Sequence, residues 1–205
     1  MISEGIVGVQ NLTDGDQAKL RVGRQGEQLT SQLHAPFWET TNRGNVFSAY
    51  AIVTAPVIYT TAAGTGGPLI WNGASNVNVN ILKIGYGISV VTTVAAALGW
   101  TGNTGQTVAP TTTTAIDASG NLRIGGAASL ATAYRIGTPI SAGGNFTPFA
   151  DVQTGALTTT PGVMHWIDVD GLFVIPPNCW GSIAASATAT TLVLRACVIW
   201  EEVPI

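Results

Sequence analysis

Polar and apolar residues alternate strictly where the segment 76–94 begins: Val77, Val79 and Ile81 fall between Asn76, Asn78 and Asn80. A period of two is the mark of a half-buried strand, because successive side chains leave a pleated backbone on opposite faces. After Ile81 the phase slips. The large apolar residues become Leu82, Ile84, Tyr86, Ile88 and Val90, separated by Lys83, Gly85, Gly87 and Ser89. A change of phase without a turn signal predicts a β-bulge, or a strand that bends from one sheet into another. The two glycines suit close packing against a neighbouring backbone, and in a helix each would cost ~1 kcal/mol. The segment is read as the central, bent strand of a two-sheet β domain.

The same period extends the reading to the rest of the chain. Residues 46–53 form an apolar run that Pro56 ends, and residues 69–71 a short strand. Asn72-Gly73 then gives a strong hairpin signal leading into the central strand. Residues 94–98 could make a helical turn, stopped by Gly99 and Gly102. Residues 102–115, rich in Thr and Gly and containing Pro110, read as a long surface loop. Residues 117–121 read as a turn before a short strand at 122–124. With one carboxylate they fall short of the roughly six or more oxygens that calcium takes. Between 125 and 161 weak strands and Gly-rich loops alternate without clear boundaries. Residues 164–175 make a strand ended by Pro176-Pro177-Asn178, and two further strands, 180–187 and 192–200, flank a turn at 186–191. Seven or eight body strands, long connections, no long helix and no internal repeat predict an all-β fold, a jelly-roll-like β-sandwich.

Charge changes this picture in two ways. Charged residues make up 9% of the 205 residues, against roughly 25% in ordinary soluble domains, and a surface so neutral tends to associate. No run approaches the ~18 apolar residues of a membrane helix, so a surface covered by partners is expected rather than a membrane protein. The start of the chain shows no basic segment followed by an apolar one, so no secretory signal is expected. A net charge of −3 without a clustered cationic stripe argues against direct binding of nucleic acid. Lys19, Arg21 and Arg24, interrupted by Glu27, read as a solvated or protein-binding segment.

Charge is also unevenly placed. Residues 1–47 hold nine of the nineteen charged residues, which predicts an extended N-terminal arm (1–47) in front of a nearly uncharged body (48–205). In the arm, residues 34–38 are expected to be extended, since Pro36 disfavours helix before it. Phe37 and Trp38 have little local core to enter there and are expected to dock on the body or on a neighbouring subunit. Arg21, Arg24 and Arg43 are expected to pair with carboxylates of a partner. The alternative is an arm that adds edge strands to its own body, with Trp38 in the core.

Candidate chemistry is sparse. His165, Asp168 and Asp170 form the densest titratable group, but alternation turns Ile167 and Val169 inward and both aspartates outward, as a solvated face. No nucleophile, acid–base partner and oxyanion site stand together, so the chain is not expected to be an enzyme and no catalytic residue is assigned. Two histidines remote in sequence do not make a zinc site, and no metal or cofactor is expected. Cys179 and Cys197 are centred on residue 188, in the middle of the expected 186–191 turn. They would lie opposite each other in that hairpin, where a disulfide needs Cβ atoms ~4 Å apart. Without a signal sequence a reducing compartment is expected, with two buried thiols. The six tryptophans are spread along the chain and are read as core or interface aromatics rather than a carbohydrate platform.

Three stretches carry a resemblance: Gly23-Arg24-Gln25-Gly26-Glu27, Phe37-Trp38-Glu39-Thr40-Thr41-Asn42-Arg43-Gly44-Asn45-Val46-Phe47, and Trp200-Glu201-Glu202-Val203-Pro204. With the β body, they resemble the capsid decoration, or cement, proteins of tailed bacteriophages. The resemblance runs loosely over most of the chain. It implies a virion structural protein on the capsid surface, made in the host cytoplasm. It further implies a homotrimer whose arm reaches over the major capsid protein and neighbouring cement subunits, without catalytic residues. The alternatives are a head-fibre or tail component that binds host glycans, and a carbohydrate-binding β-sandwich module.

Overall fold

The segment around Val77 does fold as one long strand, and its neighbours can be built outward from it. The computed structural model describes residues 36–60, 66–91, 94–105, 107–116, 118–138, 143–152, 163–187 and 191–205. The chain divides into two compact units, Met1–Trp38 and Glu39–Ile205. In order the elements are α1 (Trp38–Arg43), β1 (Val46–Thr54), β2 (Val57–Ile58), β3 (Gly66–Asn72), β4 (Val77–Val90), β5 (Ala96–Thr104) and β6 (Thr111–Ala115). They continue with β7 (Ala118–Asn121), β8 (Thr132–Thr138), β9 (Asn145–Val152), β10 (His165–Ile175), β11 (Cys179–Ala185) and β12 (Val193–Pro204).

Two sheets face each other. One has the order β10-β4-β12-β1-β7; the other runs β6-β8-β3-β11-β5-β9, with the short β2 parallel to β11. The chain crosses between sheets at β1 to β2, β3 to β4, β4 to β5, β6 to β7, β7 to β8, β9 to β10, β10 to β11 and β11 to β12. Two antiparallel sheets packed face to face make the body an all-β sandwich.

Leu82 is where the phase slip becomes geometry. On β12, Ile199 pairs with Lys83 and Trp200 with Ile81; on β10, Asp168 pairs with Lys83 and Phe173 with Ile81. Both ladders skip Leu82, so the extra residue restores Ile84 to the same side as Val79 and Ile81. All three are buried in a core shared with Leu98, Ile183, Leu194, Val198 and Trp200. Each such side chain contributes about 1.5–3 kcal/mol on burial. β10 absorbs the mismatch differently, by a four-residue excursion from Val169 to Leu172 in which Asp170 and Gly171 both have positive φ, 45° and 81°. An Asp-Gly pair suits such a turn because it tolerates the left-handed region.

Several local expectations give way to tertiary context. Asn72-Gly73 does not close a hairpin, since β3 and β4 belong to different sheets. Asn72 is instead fully buried, and its Nδ2 donates to the carbonyls of Val77 at 2.9 Å and Ile175 at 3.0 Å, tying the crossing together. Asn72→Ala should therefore cost about 1–2 kcal/mol, read as a lower urea midpoint at unchanged slope. Residues 94–98 do not turn into helix; Ala96, Leu98 and Trp100 alternate into the core from β5. Residues 102–115 are not one loop, because β5 runs to Thr104 and threonines form β6 against β8. Residues 118–121, expected as part of a turn, are strand β7 beside β1. Twelve strands occur among the described residues, more than the seven or eight expected.

The cysteines are corrected in the same way. β11 pairs with β2, β3 and β5, and β12 with β4 and β1, so Cys179 and Cys197 lie in different sheets rather than opposite each other in a hairpin. Two consecutive apolar strands can pair or cross, and the residues between them do not decide which. At the start of the body, Val46 and Phe47 already belong to β1, and Phe47 stacks on Trp200 with ring centroids 5.9 Å apart. Trp38 is helical rather than extended. Proline restrains the residue before it, and the helix begins two residues after Pro36.

Candidate functional site

Of the residues expected to contact a partner, Arg21 and Arg24 lie outside the described residues. Phe37 has a φ of 67°, and Trp38, 44% exposed, opens α1. Arg43 is engaged within its own helix, where its Nη2 lies 2.8 Å from Glu39 Oε1. Both side chains are exposed, so this pair contributes only tenths of a kcal/mol.

The titratable group on β10 is drawn apart by the excursion after Asp168. His165 stacks on Tyr86 with centroids 5.4 Å apart, and Asp168 pairs with Lys83 at 2.6 Å on the exposed side of the sheet. Asp170 sits in the positive-φ turn, so the two aspartates do not continue one regular strand face. Among the described residues no group of three or more His, Cys, Asp or Glu could hold a metal ion. No helix among them is long and apolar enough to cross a membrane.

Both cysteines are free thiols, Cys179 buried and Cys197 half-buried, and burial pushes both thiols above their ordinary pKa. The thiolate is the reactive form. Maleimide should therefore label the native chain at pH 7 at least tenfold more slowly than denatured chain, with Cys197 ahead of Cys179. Peptide mass mapping over a time course checks this.

The outer faces of the two sheets differ. In the second sheet every residue of β11 is buried. Trp180 and Ser182 point away from the core there, and Ser182 Oγ donates to the Pro68 carbonyl at 3.1 Å. Beside them the ring of Phe146 lies over Gly99, where a Cβ would come within 2.7 Å of it, and Tyr59 stacks on Phe146 at 4.6 Å. The chain's own side chains thus cover the middle of this face, around β11 and β5. The five-stranded sheet presents an open one.

That open face is set by register. Tyr50 pairs with Cys197, Cys197 with Gly85 and Gly85 with Trp166, so these residues cross the sheet in one row. Neighbouring rows hold Ser48, Ile199, Lys83 and Asp168, and Ile52, Arg195 and Gly87. The Trp166 ring lies over Gly85, where an added Cβ would meet it at 3.0 Å, yet Trp166 remains 51% exposed. Ile52 is 43% exposed. Further along β12, Arg195 is exposed and Glu201 half-buried. Loss of solvent raises the Glu201 carboxyl above the usual range. Tyr50, Ile52, Trp166 and Ile199 are visible in the sequence as apolar residues. Their outward direction, however, follows only once the strand partners are known.

A second feature lies at the open end of the sandwich, a cleft of about 560 Å³ between β10 and the β5–β11 side. Trp100 and Phe173 stack in its wall with centroids 5.8 Å apart, and Asn103, Thr104 and Asn145 bring polar groups to it. Among the described residues that line it there is no Asp, Glu, Lys, Arg or His. Comparison of the chain with protein-family models, with curated proteins and with solved structures finds no match in any of the three.

Proposed function

We propose that the protein is a non-enzymatic structural component of a phage virion, which decorates and stabilises the capsid as a homotrimer bound to the major capsid protein. The observation that carries this reading is the open face of the five-stranded sheet. It is an extended surface with exposed aromatic and aliphatic residues on a body with few charges, suited to permanent contact rather than turnover. The resemblance of the sequence to decoration proteins points to the capsid as the partner, and the arm carrying Arg21, Arg24, Phe37, Trp38 and Arg43 is the segment expected to reach it. The test is sedimentation of purified chain with capsids of the phage that encodes it, followed by cryo-electron microscopy of the particles. Co-sedimentation at a fixed ratio, with symmetric density on the capsid lattice, is expected. No chain in the capsid pellet even at saturating concentration would overturn the reading.

A second reading, binding of a host glycan in the cleft, is favoured by its uncharged lining and by the amides of Asn103 and Asn145 beside the Trp100–Phe173 pair. A glycan array probed with the full chain separates the two, since a decorator without this activity gives no signal.

A further inference from the structure

We propose that the outer face of the five-stranded sheet is where copies of this chain meet, with Arg195 of one copy paired to Glu201 of the next. The inference rests on the oligomeric part of the reading above. It names the surface and the contact, neither of which the resemblance supplies.

The apolar part of the face is the set Tyr50, Ile52, Trp166 and Ile199. Its charges balance: Lys83 and Arg195 stand against Asp168 and Glu201. Lys83 and Asp168 are already paired within the chain, and no ion pair within the described residues engages Arg195 or Glu201. These two lie on the same side of β12, six residues apart, which is about 20 Å in an extended strand. They cannot reach each other in one copy. Opposite charges at the two ends of one strand face match when copies follow head to tail round an axis, and a closed ring of three is the case that fits a homotrimer. The strand also matches itself when antiparallel across a two-fold axis, so the assembly mass decides the order of the symmetry.

Burial has already disfavoured the charged form of Glu201 in the single chain. A guanidinium from another copy reverses that disfavour by supplying the missing counter-charge. Size is adequate as well. Five strands about 4.8 Å apart, each offering some seven residues at about 3.3 Å, give a projected face on the order of 500 Å². Side-chain relief brings this toward the roughly 800 Å² per partner of a stable interface. The middle of the second sheet offers no equivalent surface, since β11 is buried along its whole length and Phe146 covers Gly99 beside it.

The test is analytical ultracentrifugation of the full chain, with thermal melts to confirm folding. Wild type should sediment as a multimer. Arg195→Glu and Glu201→Arg should each weaken self-association by roughly tenfold or more, because each sets like charges against each other across the contact. The double variant, with the charges exchanged, should return to within about threefold of wild type. If either single variant fails to fold, Ile52→Asp, at an exposed position, should dissociate the multimer on its own. A multimeric wild type that neither charge reversal nor Ile52→Asp weakens would overturn this surface and leave the oligomeric reading standing. A wild type that is monomeric at every concentration would overturn the surface too, while co-sedimentation with capsids would still report separately on decoration.

Discussion

Replacing Glu202 with alanine is expected to destabilise the body by about 3 kcal/mol, a fall in melting temperature of roughly 10 °C for a domain of this size. The carboxylate is 6% exposed, yet no cation neutralises it within the described residues. It is held instead by the segment before β8: Ser129 Oγ donates at 2.5 Å, Leu130 N at 2.9 Å and Ala131 N at 3.0 Å, all to Oε1. β12 belongs to one sheet and β8 to the other, so this cluster fastens the two layers. Alanine leaves the backbone donors without an acceptor, and the loss of a charge-assisted bond exceeds that of a neutral one. Glu202→Gln keeps one acceptor oxygen but turns an amide donor toward N–H groups, and should fall between. Ser129→Ala removes a single donor and should cost about 1 kcal/mol. Urea unfolding of the three variants checks the order, and an alanine variant as stable as wild type would refute the account.

Trp200→Ala should be the most damaging change in the core, at about 4 kcal/mol. The indole is 1% exposed, packed among the central residues and stacked on Phe47. Trp200→Phe should behave quite differently, costing about 1 kcal/mol. The indole N–H is buried without a hydrogen-bond partner in the structure. Phenylalanine gives up part of the ring, but it also removes a donor that gains nothing from folding. Denaturant midpoints measure both variants. A Phe variant as unstable as the Ala variant would mean that ring volume alone decides the site.

These two residues also mark how far sequence reasoning reaches. The break at Leu82 was legible because the phase of an alternating pattern is local: one skipped residue shifts every later side chain, whatever the strand pairs with. The run Trp200-Glu201-Glu202 carries no such signal. One glutamate is half-exposed and its neighbour is buried, and only the loop at Ser129, more than seventy residues away, decides between them. Asn72-Gly73 misled for a related reason. Its composition favours a tight reversal, but the chain beyond it enters the opposite sheet, and the asparagine amide serves the crossing instead. Threonines in β6 and alanines in β5 read as loop and helix because small or polar strands depend on their partners more than on their own pattern. The candidate surface was hidden in the same way. Ile52 and Ile199 are merely apolar in the sequence, and register alone turns them outward.

β12 stands between β4 and β1, and gives a full ladder to each. Its neighbour β1 starts at Val46, whereas β12 starts at Val193. On a ribosome adding ~5–20 residues per second, the first strand of the body waits on the order of ten seconds for its main partner. Until then β1 and β4 both present unpaired edges, of the kind that other nascent chains can extend. Folding of the sandwich is thus deferred until β12 has been made, and pairing over so long a separation makes it slow. A chain interrupted anywhere before Val193 lacks the middle of one sheet rather than a dispensable edge. Such fragments should aggregate, and yield in a cell-free system should depend on chaperones until β12 has emerged.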